Sequence, residues 1–152
     1  MPERMKSNEI VPLISEAVKD GGRFYLSPRG KSMRPTIREE KDTVALVEFV
    51  SFKKGDILLY RRKDGQVVLH RLVGFKRGEP LMCGDAQFTL EYGITKEDII
   101  ARVSDIVRKG KLINVDSASF KFYSACLSLR RNSVIFLSKP LRAAKRFFSK
   151  LK

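Results

Sequence analysis

The sequence of 152 residues has no tryptophan, one histidine and only two cysteines. Two cysteines cannot build a disulfide framework, and with a single histidine they do not form a cluster that holds zinc. Neither cysteine lies in a CxxC motif, so we predict that Cys83 and Cys126 are both small buried residues. We therefore expect no metal and no cofactor.

Long apolar runs are also missing. The longest, such as residues 134–137, fall far short of the roughly 20 residues that a membrane-spanning helix needs. The first 20 residues carry charges throughout and lack the apolar segment of a signal peptide. The sequence thus predicts no transmembrane helix and no signal peptide, and a protein that is cytoplasmic or peripherally associated with a membrane.

Acidic residues are scarce in only one part of the chain. The whole chain has 31 Lys and Arg against 17 Asp and Glu, a net charge of +14. Residues 107–152 hold 12 of the basic residues and one acid, whereas residues 1–106 hold 19 basic and 16 acidic residues. The sequence therefore predicts a nearly neutral domain over residues 1–116 and a basic helical tail over residues 117–152.

Short apolar runs rich in β-branched and aromatic residues dominate the neutral domain, and Lys-Gly, Asp-Gly and Arg-Gly turns separate them. Asp64-Gly65 predicts a hairpin, and Thr95 with Asp98 predicts a capping box. Apolar residues at helical spacing predict a helix over residues 8–19. The predicted strands are 24–26, 43–49, 56–60, 66–73, 80–83, 100–107 and 111–115. The domain is thus predicted to be mainly β, with a short helix before a β core over 23–115.

The basic tail has a helical pattern. In residues 139–152 the apolar side chains gather on one side of a helix and the basic side chains on the other. Such a helix is typical of one that lies on an anionic membrane surface. Packing on the domain and a solvated basic end are the alternatives. Nucleic acid is the least favoured partner, because no aromatic-interleaved or helix-turn-helix pattern accompanies the charge.

One serine and the only histidine stand where catalysis could be built. Ser32 lies in a turn bounded by Gly30 and Pro35, between two predicted strands, where a rigid scaffold can present a hydroxyl. His70 lies in an alternating apolar run that predicts a strand. A serine nucleophile needs a base within hydrogen-bond reach. Taken singly, each residue is more commonly structural.

Four motifs, however, occur in an order that resembles the type I signal peptidases. They are Ser32-Met33-x-Pro35-Thr36, Gly55-Asp56-Ile57-Leu58, Leu69-His70-Arg71-Leu72 and Gly84-Asp85. The first resembles the serine box, the second the structural Gly-Asp box, the third the general base followed by Arg, and the fourth the closing Gly-Asp-Asn box. The resemblance covers about residues 24–107 and implies a signal-peptidase-like β-barrel or β-clip core.

The resemblance implies a serine endopeptidase that cleaves a leader or signal peptide after small residues, through an acyl-enzyme. Most bacterial members use lysine as the base, whereas His70 resembles the endoplasmic-reticulum and archaeal types. Its role would be to take the proton of Ser32. Asp85 is expected to orient His70, with Glu91, six residues later, as a second carboxylate.

The resemblance also implies roles for the residues of the turn around Ser32. The oxyanion would be held by main-chain N–H groups, because Gly30 stands where some members carry a hydroxyl. Lys31 lies in the same turn, and Met33 and Pro35 are expected to shape it and a small apolar pocket. The remaining motif residues are expected to be structural: Gly55, Asp56, Arg71 and Gly84.

Two departures keep other function classes open: Ala86 replaces the asparagine of the closing box, and Glu91 replaces an aspartate. A catalytically degenerate binding module of the same fold is therefore the main alternative. The expected lack of a membrane anchor before the serine box bears instead on where the protein is located. A self-cleaving regulator like the SOS-type repressors is less favoured, because those proteins use lysine as base and carry a DNA-binding domain in front. The expected partner is a peptide or protein with a leader segment.

Overall fold

Seven antiparallel strands form one open sheet in this computed structural model, which describes residues 7–131. The strands are β1 Phe24–Leu26, β2 Asp42–Val47, β3 Ile57–Arg61, β4 Val67–Lys76, β5 Glu79–Cys83, β6 Ile99–Arg108 and β7 Lys111–Asn114. Helix α1, Ser7–Ala17, precedes the sheet, and helix α2 follows it over residues 118–131. The prediction of a mainly β fold with a short N-terminal helix and a C-terminal helix is confirmed.

The long strand β6 lies at the centre of the sheet, whose order is β1-β2-β6-β3-β4-β5. One edge of β6 pairs with β2, for example Val44 with Ile106. The other edge pairs with β3 at one end, where Leu59 faces Ala101, and with β7 at the other end. The loop between β1 and β2 carries Ser32, and β4, two strands from β6, carries His70.

Two local predictions are confirmed. The β3–β4 hairpin turns at Gly65, whose φ of +84° lies in the left-handed region that favours glycine. The Thr95 N–H donates to the Asp98 carboxylate at 2.7 Å, which completes the capping box before a single 3₁₀ turn.

The sheet buries apolar side chains on both faces. The larger cluster joins α1 to the sheet and contains side chains such as Ile14, Leu59 and Val103. The smaller cluster contains Leu58, Leu72 and other residues on the opposite face. Because successive side chains of a strand point to opposite faces, the neighbours His70 and Arg71 of β4 lie on different faces of the sheet.

Helix α2 packs on the domain through Phe120 and other inward-facing side chains. The basic amphipathic helix predicted at 139–152 lies outside the described residues. Cys83 is buried as predicted, but Cys126 is exposed on α2, so that half of the cysteine prediction is wrong. Within residues 7–131 no helix is long and apolar enough to cross a membrane.

Candidate active site

His70 is a buried imidazole on β4 that contacts a carboxylate. Its Nδ1 lies 3.1 Å from the Glu91 Oε1 atom and 3.1 Å from the Tyr60 hydroxyl. Burial lowers the pKa of His70 below its ordinary 6.5, and the nearby Glu91 charge opposes this effect only in part. The imidazole is therefore neutral at neutral pH, which is the state a general base requires.

Glu91 is held as an anion by its neighbours. The Tyr60 hydroxyl donates to Oε2 at 2.6 Å, Arg62 Nε donates to the same oxygen at 2.9 Å, and Arg62 Nη2 hydrogen-bonds Oε1. Burial raises the pKa of Glu91, but the hydrogen bonds from Arg62 and Tyr60 outweigh it and hold the pKa below the ordinary 4.5. Burial and Glu91 together raise the pKa of Tyr60, so this phenol keeps its proton.

These contacts assign the tautomer of His70. A carboxylate only accepts hydrogen bonds, so the single proton of Tyr60 is committed to Glu91. The His70 Nδ1 atom must then be the donor in its own contacts with these two oxygens. The lone pair of the neutral ring consequently lies on Nε2, which is the arrangement that a serine nucleophile uses.

The Ser32 loop is held against the segment that follows β5. The Ser32 carbonyl accepts the Ala86 N–H at 2.8 Å. A Cβ at Gly84 would lie 2.6 Å from that carbonyl oxygen and 3.1 Å from the Ser32 Cβ, so only glycine permits this approach. Because Cys83 at the end of β5 pairs with Arg71 of β4, this contact anchors the Ser32 loop at the sheet position next to His70. Among residues 7–131, no hydrogen bond joins the Ser32 and His70 side chains.

Arg71 forms a buried ion pair with Asp85 that connects four segments. Its Nε and Nη2 atoms each lie 2.7 Å from a different oxygen of Asp85, and the two side chains are 1% and 0% exposed. Thr36, from the serine loop, also hydrogen-bonds Asp85. Arg71 Nη1 donates to the Gly55 carbonyl at 2.8 Å and to Ser124 of α2 at 2.9 Å. This pair therefore fixes the serine loop, the Gly-Asp box, the closing box and α2 to one another.

The two carboxylates expected at His70 thus have different partners. Asp85 was expected to orient His70, yet its hydrogen bonds go to Arg71 and Thr36. Glu91 makes the contact with His70 instead. The reason is the strand alternation at β4, because Asp85 reaches the face to which Arg71 points and Glu91 reaches the face of His70.

The main-chain donors around the serine are partly engaged. The Gly30 N–H donates to the Glu39 carboxylate at 2.8 Å, so it is not available to an oxyanion. The Ser32 N–H has no acceptor within the part of the chain that the structure describes. Lys31 is exposed beside it. The donor expected for an oxyanion therefore remains at Ser32, and the expected contribution of Gly30 is not seen.

The other motif residues have structural contacts. Met33 is buried in the larger core cluster, whereas Pro35 is exposed and lines a groove with Phe120. Gly55 has a φ of +103°, and its N–H donates to the Leu72 carbonyl at 2.8 Å. Asp56 accepts the Lys53 N–H at 2.8 Å. Met33 thus belongs to the core.

Sequence reasoning missed Tyr60 and Arg62. Tyr60 lies diagonally across the β3–β4 ladder from His70, because Leu58 faces His70 and Tyr60 faces Val68. The exact hairpin register is the signal that could have revealed it.

Comparisons with known proteins identify no family for this chain. No protein-family model matches it, and a search of curated proteins found no significant match. The resemblance to signal peptidases is therefore a hypothesis that rests on the four motifs.

Proposed function

We propose that the protein is a serine endopeptidase with Ser32 as nucleophile, His70 as general base and Glu91 as the residue that orients the base. The observation that carries the proposal is the buried, neutral His70 whose Nδ1 contacts a carboxylate fixed by Arg62. A base oriented in this way is what activates a serine hydroxyl.

The mechanism is acyl transfer. His70 Nε2 takes the proton of Ser32 Oγ as that oxygen attacks the peptide carbonyl, and the Ser32 N–H binds the resulting oxyanion. The imidazolium then gives its proton to the leaving amine, and an ester to Ser32 remains. Water, deprotonated by His70, hydrolyses this ester and restores the hydroxyl. Glu91 stabilises the imidazolium in both steps.

The proposed substrate is a leader or signal segment cut after small residues. It rests on the motifs from Ser32 to Asp85, as does the proposal that the sheet belongs to the signal-peptidase-like β architecture. We also propose that residues 139–152 bind an anionic membrane surface, which would make the protein peripheral. Equal sedimentation of the full chain and a 1–138 truncation with anionic vesicles would exclude that role for the tail.

The activity is tested with a library of leader peptides that contain small residues, analysed by mass spectrometry. We expect cleavage by the wild type and at least a thousandfold loss in Ser32→Ala and His70→Ala. Ser27→Ala is the matched control, because Ser27 lies in the same loop and its hydroxyl contacts Thr43 at 3.1 Å. Cleavage that survives in Ser32→Ala would contradict the assignment of the nucleophile.

A degenerate binding module is the second candidate. It is favoured by the lack, within residues 7–131, of a hydrogen bond between Ser32 and His70. In that case the peptides would bind without being cut, and Ser32→Ala would bind them as the wild type does. Isothermal titration with the same library separates the two candidates.

A further inference from the structure

The outward face of α2 carries an apolar stripe that lies between the exposed polar residues Ser119, Lys121 and Arg130. Phe122 is 73% exposed and Leu129 is 67% exposed. Ala118, Ala125 and Cys126 are exposed on the same side of the helix. Their spacing of three and four residues forms one continuous stripe, which we call the outer stripe of α2: Ala118, Phe122, Ala125, Cys126 and Leu129.

The inward face of α2 carries much of the helix's polarity. Ser124 accepts a hydrogen bond from Arg71, and the hydroxyls of Tyr123 and Thr36 lie 3.2 Å apart. Arg131 is buried. A surface helix of a globular protein normally places its large apolar side chains inward and its polar ones outward. With Phe122 and Leu129 outward, α2 departs from that rule, which marks the stripe as an interaction surface.

Basic side chains border the outer stripe. A groove of about 420 Å³ runs beside Ala125 and Leu129, and Lys53, Lys54 and Lys121 line it. Asp56 and Asp116 also line this groove. Asp116 pairs with Arg102 at 2.9 Å and with Lys53 at 4.0 Å, so the basic excess of the groove rests on Lys54 and Lys121. The chain beyond residue 131 adds six basic residues and no acidic one.

We propose that the outer stripe of α2 docks on an anionic lipid surface. The apolar side chains would enter the boundary between headgroups and acyl chains while the flanking lysines meet the lipid phosphates. The charge complementarity selects this occupant, because a second copy of the chain would bring the same positive rim and repel it. The proposal does not depend on the proteolytic activity. The six basic residues beyond residue 131 all lie in 139–152, so they add to the charge that both membrane proposals use.

Co-sedimentation with vesicles tests the surface in the full-length chain. The vesicles contain 30% phosphatidylglycerol in phosphatidylcholine, with pure phosphatidylcholine for comparison. We expect the double variant Phe122→Ser with Leu129→Ser to lose at least tenfold in partitioning to the anionic vesicles. The matched control removes two exposed apolar side chains elsewhere, Val50→Ser with Leu112→Ser, and should change it less than twofold. Equal partitioning of the two double variants would overturn the proposal.

A tryptophan variant keeps the test valid even if the serine variants fold poorly. The chain has no tryptophan, so Phe122→Trp introduces a single probe. Its emission should shift to the blue with anionic vesicles and be quenched by brominated lipid, whereas Leu112→Trp should show neither effect. A blue shift already present without vesicles, together with a dimer by light scattering, would assign the stripe to a second copy and overturn the proposal.

Discussion

His70 and Arg71 are neighbours in sequence, and each meets one carboxylate on its own face of the sheet. Arg71 and Asp85 are fully enclosed and bonded to three further segments, which makes this pair a fixed support. Glu91 is 20% exposed and contacts His70 through Nδ1, while burial lowers the pKa of His70 and keeps the ring neutral. Adjacent residues of β4 thus have different roles: Arg71 holds the segments of the site together, and His70 would perform its chemistry.

The largest effect on stability is expected from breaking the ion pair between Arg71 and Asp85. Arg71→Met leaves the Asp85 carboxylate buried without its partner, which costs about 3–5 kcal/mol of unfolding free energy. Arg62→Met is the matched control, because Arg62 is 31% exposed and its partner Glu91 is within reach of water. That change should cost about 1 kcal/mol or less. Urea denaturation measures both, and similar losses would contradict the difference between the two pairs.

The next effect concerns the contact between the serine loop and the closing box. Gly84→Ala places a methyl group against the Ser32 backbone, so the loop must move, at a cost of about 1–3 kcal/mol. Cleavage should fall at least tenfold while the chain still folds. Gly74→Ala is the control, because a Cβ there meets no atom within 4 Å. A Gly84→Ala variant with wild-type cleavage would show that this contact does not position Ser32.

For the contact between Glu91 and His70 we expect a smaller effect on stability but a large effect on activity. Glu91→Gln removes the charge that raises the pKa of His70, so the pKa of His70 should fall further. Cleavage should fall about a hundredfold or more, because the imidazolium loses its partner. His70 is the only histidine, so NMR titration of its ring reads this pKa without assignment. Exposed Glu79→Gln is the control, and an unchanged pKa of His70 in Glu91→Gln would contradict the pairing.

The smallest effect is the pH dependence of stability. Because burial lowers the pKa of His70, the imidazole takes up its second proton at a higher pH in the unfolded chain than in the folded chain. The contribution to stability is complete above pH 6.5 and is lost as the pH falls through the folded pKa. His70→Gln should therefore lose less Tm between pH 7.5 and 5.5 than the wild type. Parallel Tm curves for the two proteins would contradict this assignment.

The hairpin at Gly65 shows why part of the site could not be predicted. Asp64-Gly65 correctly indicates a turn, but a two-residue loop would pair Tyr60 with Leu69 and place it on the face opposite His70. The Arg62 N–H instead donates to the Gln66 carbonyl at 2.8 Å, which closes a three-residue loop. This register brings Tyr60 to the face of His70. A shift of one residue exchanges the two faces of a strand.

The sequence alone determined the strands and the first helix, because β-branched runs, turn glycines and apolar spacing are local signals. The candidate site residues rest on the four motifs. Only the tertiary structure decided the order of strands around β6 and the partner of each carboxylate. Those depend on pairings between segments such as β2 and β6, about 60 residues apart, and on the face to which each side chain points. No local pattern encodes these pairings, so Glu91 and not Asp85 meets His70.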